Sequence, residues 1–257
     1  MNIKNLGSSS AGNAYIIELQ PNPADPDTKR TILLEAGFPG HELHQRIVRA
    51  GCDLNEIDAV LISHHHMDHA AAAIELRRRG KRVYGNSLVC SGPDALIEAN
   101  HLKAIAPDVY VYPFPVEHDA PDTFGYLIRC GGESLLFATD CAFIPLDLSR
   151  FQPTHVMLEA NYDGRTMHFA LEGAKDDPAK YEQLRRITQT HMSIKHTIET
   201  LKKMDLSKCL AIFLIHLSDR HSRALDFENS VHEATGKPVV ICQKNGGTFS
   251  RTTPTRR

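Results

Sequence analysis

The chain has no tryptophan, no apolar run long enough to cross a bilayer, and no two cysteines close enough to form a metal knuckle or a redox pair. Net charge is nearly missing too, because 29 Lys and Arg against 31 Asp and Glu leave −2. Each deficit excludes something. With no apolar stretch after Met1-Asn2-Ile3-Lys4-Asn5-Leu6, neither a secretory leader nor a membrane anchor is expected. Cys52, Cys90, Cys130, Cys141, Cys209 and Cys242 are scattered, which suits small core residues in a reducing cytoplasm rather than a disulfide framework. Balanced charge gives no global pull on a polyanion, so a nucleic-acid substrate would need a local patch or bound cations.

What is present is a chain of 257 residues, 42% of them hydrophobic, enough to bury a substantial core as one domain over 1–245. A Gly-, Thr- and Arg-rich stretch, 246–257, reads as a flexible basic tail. Short β-type runs are expected at 14–19, 31–34, 59–62, 82–84, 109–112, 125–129, 134–138, 155–158, 210–215 and 238–241. Helical patterns are expected at 41–50, 69–79, 93–99, 178–188, 193–204 and 226–235. The strands do not alternate evenly with helices, and Cys130-Gly131-Gly132 reads as a hairpin. The fold class is therefore mixed α/β (α+β), with sheets packed on each other and helices outside.

Histidine is the residue in excess, at 15, and its placement carries the chemistry. In Leu61-Ile62-Ser63-His64-His65-His66-Met67-Asp68-His69 an apolar strand ends and four histidines and an aspartate follow within six positions. Alternation points His64 and His66 the same way and turns His65 away. Asp68 and His69 open the next helix, where they reach a second, adjacent point. Imidazole with carboxylate suits Zn²⁺, Mn²⁺ or Fe, so one loop offers ligands for two neighbouring metals. His118, Asp140 and His216 each come directly after a strand-like run, where α/β folds gather their sites.

This H-x-H-x-D-H run with later His, Asp and His resembles the metallo-β-lactamase superfamily over nearly the whole chain. Gly7-Ser8-Ser9-Ser10-Ala11-Gly12-Asn13, Phe137-Ala138-Thr139-Asp140 and His216-Leu217-Ser218 resemble its WalJ/YycJ-like branch, including prophage-encoded relatives. Glu117-His118-Asp119-Ala120 and Glu159-Ala160-Asn161-Tyr162 point the same way. The resemblance implies a four-layer αββα sandwich with two divalent metal ions, zinc first and manganese as the alternative. His64, His66 and His118 would hold one, Asp68, His69 and His216 the other, and Asp140 would bridge them. It further implies a bridging hydroxide as nucleophile, with Asp68, His191 and Asp140 as the catalytic residues, and the possibility of a homodimer. Many relatives carry Asp in a Leu-x-Asp-x-Gly turn, where this chain reads Leu34-Glu35-Ala36-Gly37; Glu35 and Ser63 would orient ligands from behind.

Other assignments compete with plainer ones. Ser8, Ser9 and Asn13 sit in a small-residue loop that could turn backbone N–H groups to an anion, and Asn161 and Ser218 could touch substrate or simply build turns. His221 and Arg223 are further candidates for approaching it. Cys141 reads as a buried structural thiol. Arg77-Arg78-Arg79-Gly80-Lys81-Arg82, the one dense basic cluster, reads as a solvated helix end in preference to a phosphate-tracking patch. The leading function is a DNA exonuclease-like phosphodiesterase in the cytoplasm, with nucleic acid or nucleotide as partner and no membrane. Rivals are a small-substrate hydrolase, such as a cyclic nucleotide phosphodiesterase or thioesterase, and a non-catalytic metal-stabilised binding protein.

Overall fold

A computed structural model describes residues 1–22 and 24–249. One sheet is built from β1 (Asn2–Ser9), β2 (Gly12–Leu19), β3 (Arg30–Leu34), β4 (Ala59–Leu61), β5 (Val83–Tyr84) and β13 (Gly247–Phe249), in the order β13-β1-β2-β3-β4-β5. The other takes β6 (Lys103–Ala106), β7 (Val109–Pro115), β8 (Phe124–Cys130), β9 (Glu133–Ala138), β10 (His155–Glu159), β11 (Ala211–Ile215) and β12 (Val239–Ile241), in the order β12-β11-β10-β9-β8-β7-β6. The helices are α1 (Gly40–Arg49), α2 (Met67–Ala70), α3 (Ala73–Arg78), α4 (Gly164–Glu172), α5 (Pro178–Thr190), α6 (Ile194–Leu201) and α7 (Ala224–Thr235).

Three apolar clusters define four layers. Between the sheets, Tyr15, Ile17, Ile32 and Leu61 pack against Val111, Tyr126, Phe137 and Phe213. Alternate residues of the same strands, Ile16, Leu33 and Val60, face α1 and α3 through Leu43, Ile47 and Leu76. Across the second sheet Leu136, Leu158 and Leu214 meet Leu201, Phe227 and Val231 of α6 and α7. Both faces of each central strand are covered, which is why these strands read as unbroken apolar runs. The Tyr15 and Phe137 rings meet edge-on at 6.3 Å, a geometry that adds about 1 kcal/mol beyond burial. The expected αββα arrangement is the one found.

Several local expectations are corrected. The small-residue loop expected at Ser8, Ser9 and Asn13 is instead the end of β1 and the start of β2, with all three residues buried. Helix α4 and strand β6 form where the sequence pattern predicts neither. The single helix expected over 69–79 breaks, because the carbonyl of Ala36 takes the Ala72 N–H at 2.9 Å and the carbonyl of His69 takes the Ala36 N–H at 2.8 Å. Only a 3₁₀ turn, Pro93–Ala95, forms within 93–99. The tail expected from 246 contributes Gly247–Phe249 to the first sheet, where Thr248 pairs with Lys4; 250–257 lie outside the described residues. The hairpin at Gly131-Gly132 is present, with Cys130 opposite Glu133. All six cysteines are free thiols, and no helix among the described residues is long and apolar enough to cross a membrane.

Register decides where the site lies. Strand β4 runs parallel to β3, and β9, β10 and β11 run parallel to one another, so their carboxyl ends finish in rows. At that edge the sheets are stitched together. The Tyr126 hydroxyl donates to the carbonyl of Ile62 at 2.7 Å, and the His216 N–H donates to Ser8 Oγ at 2.8 Å.

Candidate metal centre

Three strand ends turn sharply into the site. Glu35 after β3, Asp140 just beyond β9 and His216 after β11 have φ of 63°, 46° and 55°. The left-handed region costs a residue with a Cβ on the order of 1–3 kcal/mol and persists only where surroundings impose it. Here it swings three polar side chains off apolar strands toward one point. His64 and His66 follow β4, Asp68 and His69 lie in the short α2, and His118 follows β7.

Two groups result. His64, His66, His118 and Asp140 bring one ligand atom each to within 4.8 Å of one another, and so do Asp68, His69, Asp140 and His216. Asp140 belongs to both. Its Oδ2 lies 3.9 Å from His64 Nε2 and 3.8 Å from His118 Nε2, while its Oδ1 lies 3.3 Å from His69 Nε2 and 3.4 Å from His216 Nδ1. Ligands about 2 Å from one ion lie at most ~4 Å apart, so either group closes on a cation with a small contraction.

The far sides of three of the imidazoles, His64, His118 and His69, face polar groups. Ser63 Oγ is 2.9 Å from His64 Nδ1, and the carbonyl of Thr190 is 3.1 Å from His118 Nδ1. Glu35 is fully buried; its Oε1 accepts from the Ser63 N–H at 3.1 Å and its Oε2 lies 3.4 Å from His69 Nδ1. The glutamate in the Leu-x-Glu-x-Gly turn thus stands behind His69. Such contacts fix which nitrogen is free to face a metal.

The residue that sequence reasoning assigned no role is Glu159, at the end of β10. It is inaccessible to solvent, with Oε1 accepting from His191 Nδ1 at 2.7 Å and 3.1 Å from His216 Nδ1. Its Oε2 accepts the backbone N–H groups of Cys141 and Met192. A glutamate closing the apolar strand His155-Val156-Met157-Leu158 was the available signal. Asp140, Glu159, His191 and His216 also converge within 4.8 Å, but Glu159 and His191 already satisfy each other.

Electrostatics fit a cation. Burial alone would discharge Asp140, yet His216 and His69 hold its carboxyl well below the usual range. Burial opposes the charge on Asp68 too, but hydrogen bonds from His216 and His69 lower it. Burial pulls His216 down, and Asp140, Asp68 and Glu159 more than reverse this, raising it to about 10. Protons on His69 and His216 thus stand against the buried carboxylates where a metal could. Burial, followed by the charge of His69, lowers His64, and burial lowers His118, so their lone pairs are available. His64 Nε2 is buried with no hydrogen-bond partner, as a metal donor awaiting a cation would be.

Other sequence candidates brace the centre or lie away from it. The small-residue loop forms the β1–β2 hairpin, and its polar groups bind inward instead of cradling an anion. Ser9 N–H donates to Asn13 Oδ1 at 3.1 Å, Asn13 Nδ2 donates to the Asp68 carbonyl at 3.2 Å, and Ser8 Oγ holds Tyr15 and His216. Asn161 is buried and donates to the His216 carbonyl at 2.9 Å, while Ser218 Oγ caps a turn by accepting from His221 N–H at 3.2 Å. His65 belongs to neither ligand group. Cys141 is fully buried, and burial pushes its thiol well up. In the basic cluster, Arg77 donates to the Cys90 carbonyl, Arg79 pairs with Glu75 and Lys81 donates to the carbonyls of Asn55 and Ile57.

The β-lactamase superfamily domain matches residues 30–216, and the chain belongs to that family. Exodeoxyribonuclease WalJ of Streptococcus pneumoniae serotype 2 is 24% identical over 174 residues, covering 62% of this chain and 61% of that protein. Exodeoxyribonuclease YycJ of Bacillus anthracis is 24% identical over 151 residues, covering 54% of each. The chain thus spans less than two thirds of the length of either relative. The metallo-β-lactamase fold protein YhfI of Bacillus subtilis has the same fold, with a TM-score of 0.69 at 14% identity, covering 96% of this chain and 98% of that one.

Proposed function

We propose that this chain is a binuclear metal-dependent phosphodiesterase acting on DNA, exonuclease-like, with zinc preferred over manganese. The carrying observation is Asp140, whose two oxygens face different histidine groups. His64, His66 and His118 hold one cation, Asp68, His69 and His216 the other, and Asp140 joins them. Five imidazoles with two carboxylates form a donor set that suits zinc. Bound there, the metals supply Lewis acidity and an activated water near neutrality.

The chain's own groups do the rest. Glu159 accepts the Nδ1 proton of His191 at 2.7 Å, fixing the tautomer and leaving Nε2 on the opposite side of the ring. His191 Nε2 is the group that protonates the leaving oxygen or polarises a phosphoryl oxygen. Asp68 orients the attack beside His69 and His216. The exodeoxyribonuclease names of the two sequence relatives support DNA as the substrate class.

The test is metal analysis with turnover of bis-(p-nitrophenyl) phosphate and end-labelled single- and double-stranded DNA. Apoprotein is reloaded with Zn²⁺ or Mn²⁺, and Asp140→Ala serves as blank. The expected result is diester hydrolysis that disappears in the variant. Two bound metals with silence on every diester would overturn the reading and move the search to thioesters and other small electrophiles.

A further inference from the structure

The three chain segments that carry Asn161, His191 and His216 run on from the centre into the walls of a second feature. The first segment continues into α4, the second into α6 and the third into α7. Backbone bonds clamp them together: Asp163 N–H to the His221 carbonyl at 2.8 Å, Ile194 N–H to the Tyr162 carbonyl at 2.9 Å and Asn161 N–H to the Met192 carbonyl at 2.9 Å. Between the helix starts lies a cavity of about 580 Å³, open to solvent. It begins two residues from Asn161 and three from His191.

Its walls carry three cations, Arg165, Lys195 and Arg223, and one large exposed aromatic ring, Phe169. Arg165 has no ion-pair partner among the described residues. Lys195 is 3.9 Å from Glu199 and Arg223 is 3.8 Å from Asp226, both long contacts between exposed side chains. Such pairs are worth little and yield readily to a competing anion. Asp163, the other acid there, is occupied in capping α4, accepting from Thr166 N–H at 2.8 Å. Phe169 is 68% exposed at the same wall, an apolar ring that folding has left uncovered.

Loosely paired cations beside an uncovered aromatic ring, on segments that run on from a proposed phosphodiester centre, match the chemistry of single-stranded DNA. Its backbone seeks positive charge and its bases stack on any π-face. On the reading given under Proposed function, we infer that this cavity is a strand-holding subsite. Arg165, Arg223 and Lys195 meet phosphates of nucleotides next to the scissile one, and Phe169 stacks a base. The cavity adds recognition without touching the reacting atoms. It also supplies the local positive patch that the net charge of −2 does not.

The test uses the metal-loaded full chain and a fluorescent, hydrolysis-resistant phosphorothioate-linked oligothymidylate, titrated by anisotropy over a salt series. The charge-reversed double variant Arg165→Glu, Arg223→Glu is expected to weaken binding at least ~10-fold and to shrink the salt slope by about two. Phe169→Ala is expected to weaken binding ~5-fold or more. All are surface positions, and an unchanged thermal midpoint checks the fold. Turnover of bis-(p-nitrophenyl) phosphate, too small to reach the cavity, is expected to stay within about twofold in these variants. Oligonucleotide affinity and salt slope that match wild type would overturn the subsite while leaving the phosphodiesterase reading intact. So would a wild-type chain that binds no oligonucleotide. Binding lost in the variants of a protein that hydrolyses no diester would support the subsite and sink the parent reading instead.

Discussion

His191 Nδ1 lies 2.7 Å from Glu159 Oε1, and Glu159 has no solvent access. A carboxylate buried this way is tolerated because its charge is matched. Burial pushes it up, but the charge and hydrogen bond of His191 outweigh that and hold it ionised. Under the proposed function the two act as one unit, so Glu159→Gln and His191→Ala are each expected to lower kcat on a diester by about 10²-fold. The double variant should lose no more than the worse single one, as members of a catalytic unit do. A double-mutant cycle measures this. Losses that simply multiply would show that the pair does not work together.

Much of the site was legible because its parts are local. Four histidines and Asp68 stand within one loop, and His118, Asp140 and His216 each follow a strand. Glu159 was not legible, since a lone acid at a strand end resembles an ordinary surface turn until the fold places it under His191. Strand β1 hid for the opposite reason: its polar Ser8 and Asn5 are buried in tertiary hydrogen bonds to His216 N–H and the Gln243 carbonyl, and Ser9 in the hairpin's own bonds, so hydropathy does not read them as strand. Helix α4 starts at a glycine, and only the Asp163–Thr166 cap marks it. The break between α2 and α3 depends on Ala36, thirty-odd residues upstream, which no local pattern reveals.

Metal removal should be visible in stability. A cation bound by the folded chain alone adds about 4 kcal/mol when free metal exceeds its Kd a thousandfold. For a chain of this size that corresponds to roughly 10 °C in Tm. A strong chelator is therefore expected to lower the thermal midpoint of wild type and to leave that of Asp140→Ala nearly unmoved. Calorimetry with and without chelator checks it, and an unmoved wild-type midpoint would remove the metals from both clusters.

Gly37 tests how tightly the turn after Glu35 is packed. A Cβ there would sit 1.7 Å from the Asp68 carbonyl oxygen and 2.8 Å from the Asn13 nitrogen, both backbone atoms that cannot step aside. Gly37→Ala is expected to displace the loop holding Asp68 and His69, costing upwards of ~3 kcal/mol and reducing bound metal. Gly51, at φ +69° with nothing within 4 Å of its virtual Cβ, is the control. Its alanine variant should cost about 1 kcal/mol, from backbone strain alone, and keep full metal content. Equal losses at the two positions would contradict the packing argument.

His155 makes a prediction remote from the centre. It is the first residue of β10, 7% exposed, with Nδ1 3.0 Å from Thr154 Oγ1. Burial, followed by the positive charge of the Met1 amino group, lowers its pKa from 6.5 to about 4. Between those values the unfolded chain holds a proton that the folded chain rejects, so this residue's effect on stability worsens as pH falls through that window. A shift of this size corresponds to about 3 kcal/mol, present in full above pH 6.5 and gone below pH 4. His155→Gln, which cannot titrate, should therefore lose less stability between pH 7 and pH 4.5 than wild type does. Urea unfolding at the two pH values reads the difference directly, and parallel losses in both proteins would mean that His155 titrates normally in the folded chain.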